Sequence, residues 1–145
     1  MIGKVNIRIS PSKSTLPMAE EIIRAISESA AADSRKAFHL RLIMSELVTN
    51  AYLHGFYPRS DDFIEFQADF NRQKFSFSII NRGAFPDDIN MEQLDFPRTA
   101  EESGRGLRIV RRLCSEFKVN TLPNNRLEIR VKFDLETEND VKTIK

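Results

Sequence analysis

The sequence predicts an α+β fold: a two-layer sandwich in which three helices cover one face of a mixed, mostly antiparallel sheet. Three observations lead there. Segments with a period of two lie near both ends and in the middle of the chain, three segments with helical spacing stand between them, and the strand segments alternate apolar with polar residues. A sheet buried on both faces would instead read as continuous apolar runs. The order is β-α-α-β-β-loop-α-β-β, with five strands in all.

The first strand puts Val5, Ile7 and Ile9 on one face and Lys4, Asn6 and Arg8 on the other. Thr15 and Pro17 offer a helix start, and Leu16, Ala19, Ile22, Ile23, Ile26 and Ala30 follow at helical spacing. Asp33 or Ser34 can cap a second helix with Leu40, Ile43, Leu47 and Ala51 on one stripe, ending near Gly55 with Pro58 beyond. Ile64, Phe66, Ala68 and Phe70 alternate with polar residues. Asn71 to Lys74 form a turn, and Phe75, Phe77 and Ile79 resume the alternation. From Asn81 to Gly104 periodicity disappears. More than about 12 to 15 unpatterned residues in a compact domain mark a functional lid or a disordered segment. A third helix carries Leu107, Val110, Leu113, Cys114 and Phe117. A weaker strand covers Phe117 to Thr121, and Leu127, Ile129, Val131, Phe133 and Leu135 make the cleanest strand of all.

The 145 residues suffice for one domain, expected at 1–135, followed by a polar tail at 136–145. With 22 basic and 21 acidic residues the net charge is +1, so no global field favours nucleic acid or an anionic membrane. A single cysteine, Cys114, excludes an internal disulfide and a cysteine-built zinc site. No apolar run reaches the roughly 18 residues of a membrane span, and the first ten residues lack the apolar core of a signal peptide, which points to the cytoplasm.

Three motifs carry chemistry. In Ser45-Glu46-Leu47-Val48-Thr49-Asn50-Ala51-Tyr52-Leu53-His54-Gly55, the residues Glu46, Asn50 and His54 are spaced i, i+4, i+8 and form a polar stripe beside the apolar one. A carboxylate and a carboxamide one turn apart can orient a nucleophile and hold a hard cation; a solvated helix face has the same spacing. Asn81-Arg82-Gly83 closes a strand, where a glycine serves close backbone approach or a plain turn. Ser103-Gly104-Arg105-Gly106-Leu107 is a glycine pair opening the third helix, where backbone N–H groups can cradle phosphate. The P-loop lysine and the third glycine of a dinucleotide-binding turn are both missing.

Taken in order, these boxes closely resemble the GHKL (histidine kinase-like) ATPase superfamily. Within it the chain is similar, over residues 4 to 135, to the anti-sigma factor serine/threonine kinases of partner-switching systems. The resemblance implies ATP or ADP as nucleotide and Mg²⁺ as its metal. Glu46 matches the catalytic base and Asn50 the Mg²⁺ ligand. Gly83, Gly104 and Gly106 match the glycines that line the nucleotide, with Leu107 closing that box. Residues 84–103 match the lid. Arg105 stands in the phosphate-proximal box, as a phosphate contact or a solvated helix-start residue, and His54 matches no catalytic duty. The implied partners are an anti-anti-sigma (STAS-domain) protein as substrate and a sigma factor, with a homodimer formed through the first strand and helix. Arg105, Arg108, Arg111 and Arg112 form a basic cluster, either a solvated face or a surface for an acidic partner.

Two departures touch adenine. Asn81 stands where the family has an aspartate, and Arg126 and Leu127 stand where it has a Gly-Thr pair whose hydroxyl supports the adenine contact. Two hydrogen bonds lost at about 1 kcal/mol each weaken binding roughly tenfold to a hundredfold. The rival expectation is therefore a nucleotide-impaired binding module that acts on its partner by stoichiometric binding. A third is a related switch kinase that binds no sigma factor.

Overall fold

The structure, a computed structural model, describes residues 2–55, 61–82 and 101–136, with backbone alone over 101–105. Its elements are β1 (Gly3–Ile9), α1 (Leu16–Ala30), α2 (Ser34–His54), β2 (Ile64–Phe70), β3 (Lys74–Arg82), α3 (Glu101–Leu113), β4 (Glu116–Leu122) and β5 (Arg126–Asp134). The strands form one sheet in the order β1-β2-β3-β5-β4. Every pairing is antiparallel, so the mixed sheet of the sequence reading is antiparallel throughout the described residues.

Side-chain alternation and register together build the core. One row across the sheet is Ile7, Phe66, Ile79, Ile129 and Val119, and the next is Val5, Ala68, Phe77, Val131 and Phe117. Both rows lie under the helices, where Leu40, Ile43, Met44, Leu47 and Val48 of α2 are buried against them with Ile23 of α1 and Leu107 and Val110 of α3. A third row carries Asn81 opposite Leu127, so the apolar face turns polar at that end of the sheet. Among the described residues no helix lies on the other face. There Glu65 and Glu128 are buried, and Arg8 and Arg130 close over them at 3.3 and 3.2 Å.

Local chemistry sets the element ends. Asp33 caps α2 by accepting from the Arg35 and Lys36 N–H groups at 2.7 and 3.0 Å. Thr15 precedes α1 but does not cap it; its hydroxyl lies 2.7 Å from the Tyr52 hydroxyl on α2 and bonds the Ser10 and Ser12 carbonyls. Gly55 ends α2 as expected, with φ of −71°, so the stop uses extended backbone and not a left-handed glycine. The Asn71 side chain accepts from the Gln73 and Lys74 N–H groups and forms the β2–β3 turn. Asn124 and Asn125 both take positive φ (65° and 56°) and close the tight β4–β5 hairpin. No helix among the described residues is long and apolar enough to cross a membrane.

Cys114, just past α3, is half-buried, and burial pushes its thiol up to about 12 against the opposing pull of Arg111. Because the thiolate is the reactive form, iodoacetamide at pH 8 should leave the folded protein unmodified and alkylate it fully once it is unfolded. Rapid labelling of the folded chain, read by intact mass, would contradict this.

Candidate active site

The polar stripe of α2 is the floor of the site. The apolar stripe of the same helix is locked into the core, so Glu46 and Asn50 are held one turn apart by the packing of the stripe beside them. Three helices converge on Glu46. On α1, Glu20 accepts a hydrogen bond from the Ser45 hydroxyl on both oxygens, at 2.9 and 3.1 Å, and its charge reaches Glu46. On α3, Gly106 lies against the Glu46 carboxylate so closely that a Cβ there would overlap Oε2 and stand 3.0 Å from Cδ. Desolvation, and after it the Glu20 charge, holds the Glu46 carboxyl above the ordinary carboxylate range.

Asn50 presents a different signal. Its Nδ2 atom is buried and has no hydrogen-bond partner among the described residues. Buried polar atoms are nearly always satisfied, so such an orphan marks a place for a ligand atom. No group of three or more His, Cys, Asp or Glu among the described residues is arranged to hold a metal by itself. Mg²⁺ does not need one, since it binds through one or two protein oxygens, phosphate oxygens and water. A carboxamide fits that role, because turning it over places an oxygen where Nδ2 lies.

At the far end of the sheet Asn81 is 8% exposed and donates from Nδ2 to the Arg82 carbonyl at 3.0 Å. The register sets Leu127, also buried, directly opposite. Its neighbour Arg126 turns to the uncovered face, over the Phe63 ring. Arg82 is tied down by an ion pair from Nε to Asp62 at 2.9 Å and by the Asn124 carbonyl at 3.3 Å.

One expectation changes. Helix α3 begins at Glu101, so Gly104 and Gly106 lie inside it and do not open it. A helix leaves only its first four N–H groups free, and Gly106, with five helical residues before it, lies beyond them. Leu107 is buried in the core. Gly83, residues 84–100, the side chain of Arg105 and residues 137–145 lie outside the described residues.

The sequence reading missed Glu20, Ser45 and Asp62. Ser45 directly precedes Glu46, the one signal available, but the helix crossing that brings Glu20 to it leaves no periodic trace in the sequence.

Comparisons with known proteins bear on the family and the fold. Two relatives named anti-sigma F factor are similar to the chain. The one from Clostridium beijerinckii is 28% identical over 96 residues, 64% of this chain and 67% of its own length. The one from Shouchella clausii is 24% identical over 140 residues, 94% of this chain and 96% of its own length. Among solved structures, the nucleotide-free catalytic domain of histidine kinase ThkA matches with a TM-score of 0.56 at 12% identity. It covers 95% of this chain and 99% of that one, a likeness of fold alone. The model of the family described as Histidine kinase-like ATPase domain matches residues 9–133, which span α1, α2, α3 and the paired strands β3 and β5 on which the site is built; the chain belongs to that family.

Proposed function

We propose that the protein is an ATP-dependent serine kinase and anti-sigma factor, which phosphorylates a small anti-anti-sigma (STAS-domain) protein and sequesters a sigma factor. The observation that carries this reading is the pair on α2: a half-buried carboxylate at Glu46 and, one turn on, a carboxamide at Asn50 whose Nδ2 is buried and unpartnered among the described residues. The name shared by the two relatives supports the partner assignment.

In this reading Glu46 is the general base. It takes the proton of the acceptor serine hydroxyl as that oxygen bonds to the γ-phosphorus of ATP; the bond from phosphorus to the bridging oxygen breaks and ADP leaves. Asn50 would hold Mg²⁺ together with the nucleotide phosphates. The bound ion neutralises charge on those phosphates, which phosphoryl transfer needs more than covalent help. Asn81 reads the base. Its Nδ2 is committed to the Arg82 carbonyl, which leaves Oδ1 as an acceptor for the adenine amino group and disfavours the carbonyl of guanine.

Calorimetric titration with ATP, with and without Mg²⁺, tests the site. Binding should depend on Mg²⁺, exceed that of GTP, and weaken about tenfold in Asn50→Ala, as loss of a metal-orienting group does. Incubation with a cognate anti-anti-sigma protein should then yield phosphoserine. Absence of both binding and phosphoprotein overturns the proposal. The buried Leu127 opposite Asn81 favours a second reading, a binding module with impaired nucleotide use. Partner affinity indifferent to Mg²⁺-ATP would select it.

The base must be ionised to act, and its carboxyl is held above the ordinary range. Activity therefore falls on acidification at a higher pH than an ordinary glutamate would set. Glu20→Gln keeps a partner for Ser45 and removes the like charge, so the acid limb of the pH–rate profile should move to lower pH. An unmoved limb would separate Glu20 from the base.

A further inference from the structure

We infer that Gly106 is a positioning residue for Glu46: the space where a side chain at 106 would lie is the seat of the Glu46 carboxylate. The inference rests on reading Glu46 as the base. A Cβ on Gly106 would overlap Oε2, lie 3.0 Å from Cδ and 3.7 Å from Cγ, so its three nearest neighbours are all atoms of Glu46. Conformational freedom does not explain the glycine, because it sits inside α3 without a left-handed φ. Phosphate approach through its N–H does not explain it either, because residues 101–113 are helical and the N–H of residue 106 falls within the helix's own ladder. Glycine inside a helix is inferior to alanine, which leaves space as the reason for it.

A second carboxylate, that of Glu20, acts on the same group. The Ser45 hydroxyl holds its carboxylate on α1, and its charge disfavours the ionised form of Glu46, after desolvation. The base thus occupies the space that a methyl group at 106 would fill. Phosphoryl transfer is sensitive to such placement, since about 1 Å of displacement can cost on the order of a hundredfold in rate.

The test is Gly106→Ala. The atoms in its way are the far end of a flexible side chain, so the variant folds and Glu46 moves. Its kcat should fall at least tenfold, while the dissociation constant for Mg²⁺-ATP stays within twofold of native. Adding Glu46→Asp, one methylene shorter, should return part of the loss, so that the double variant exceeds the product of the two single effects. Thermal melts supply a readout independent of turnover. Gly106→Ala should raise Tm more in a Glu46→Ala background than in the native one. Equal Tm shifts in both backgrounds, or nucleotide binding weakened tenfold with multiplicative kcat effects, overturns the inference while leaving the kinase reading standing. A native chain that transfers no phosphate overturns that reading, and the positioning role with it, whatever the melts show.

Discussion

Glu46→Gln should lose phosphoryl transfer by about two to four orders of magnitude, the usual contribution of a positioned general base, while binding Mg²⁺-ATP as the native protein does. The amide has the carboxylate's shape, so the fit against Gly106 persists and only the proton acceptor is gone. The same substitution has a stability signature. A carboxyl held above its unfolded value contributes stability that is fully present at low pH and is lost as pH rises through the raised value. Glutamine does not titrate. The variant should therefore gain on the native protein as pH rises from 4 to 7.5, and its Tm at neutral pH should equal or exceed the native one. Retained phosphotransfer would remove Glu46 from the role of base. A variant that melts lower at neutral pH than at acid pH, relative to native, would refute the account of its burial.

This opposition between activity and stability follows from how α2 is built. One side of the helix supplies Leu40, Ile43, Met44, Leu47 and Val48 to the core, and the other supplies Glu46 and Asn50 to the site. Rigidity for the catalytic side comes from burial of the apolar side, so the site costs nothing in packing. Its cost is electrostatic and polar: a carboxylate partly removed from water near a second one, and a buried amide nitrogen with no partner among the described residues.

That division also explains what the sequence makes legible. Periodicity reports which side of an element faces the core, so the eight elements, the inward rows and the helical stripe of Glu46 and Asn50 are all readable from spacing. Turn chemistry is readable at Asn71 and Asp33, whose side chains bond their own neighbouring backbone. Contacts between helices are not, because they depend on crossing geometry that local patterns do not encode. Glu20 and Ser45 are 25 positions apart, and Gly106 meets Glu46 across 60 positions. The start of α3 was misplaced for a related reason: the glycine pair signals a break locally, but α3 packs its buried Leu107 and Val110 into the core, and that packing sustains the helix through both glycines.

At the adenine end, Asn81→Asp should tighten ATP binding about tenfold, because a charge-assisted acceptor is roughly twice as strong as a neutral one. It should do so at a cost in stability. The Nδ2 donor to the Arg82 carbonyl disappears, and a carboxylate replaces an amide at a position only 8% exposed. A buried acceptor deprived of its donor costs about 1–3 kcal/mol. Leu127→Thr addresses the same contact from the facing strand, since the register puts its hydroxyl directly across from residue 81. Added to Asn81→Asp, it should bring the gain in ATP affinity to between tenfold and a hundredfold and recover part of the lost stability, because the new hydroxyl can donate to the new carboxylate. The gain should be confined to adenine nucleotides, with GTP binding unchanged. Calorimetry and denaturant melts on the two single variants and the double variant read both effects. If ATP affinity is unchanged in all three, residue 81 does not face the base, and adenine must be held elsewhere.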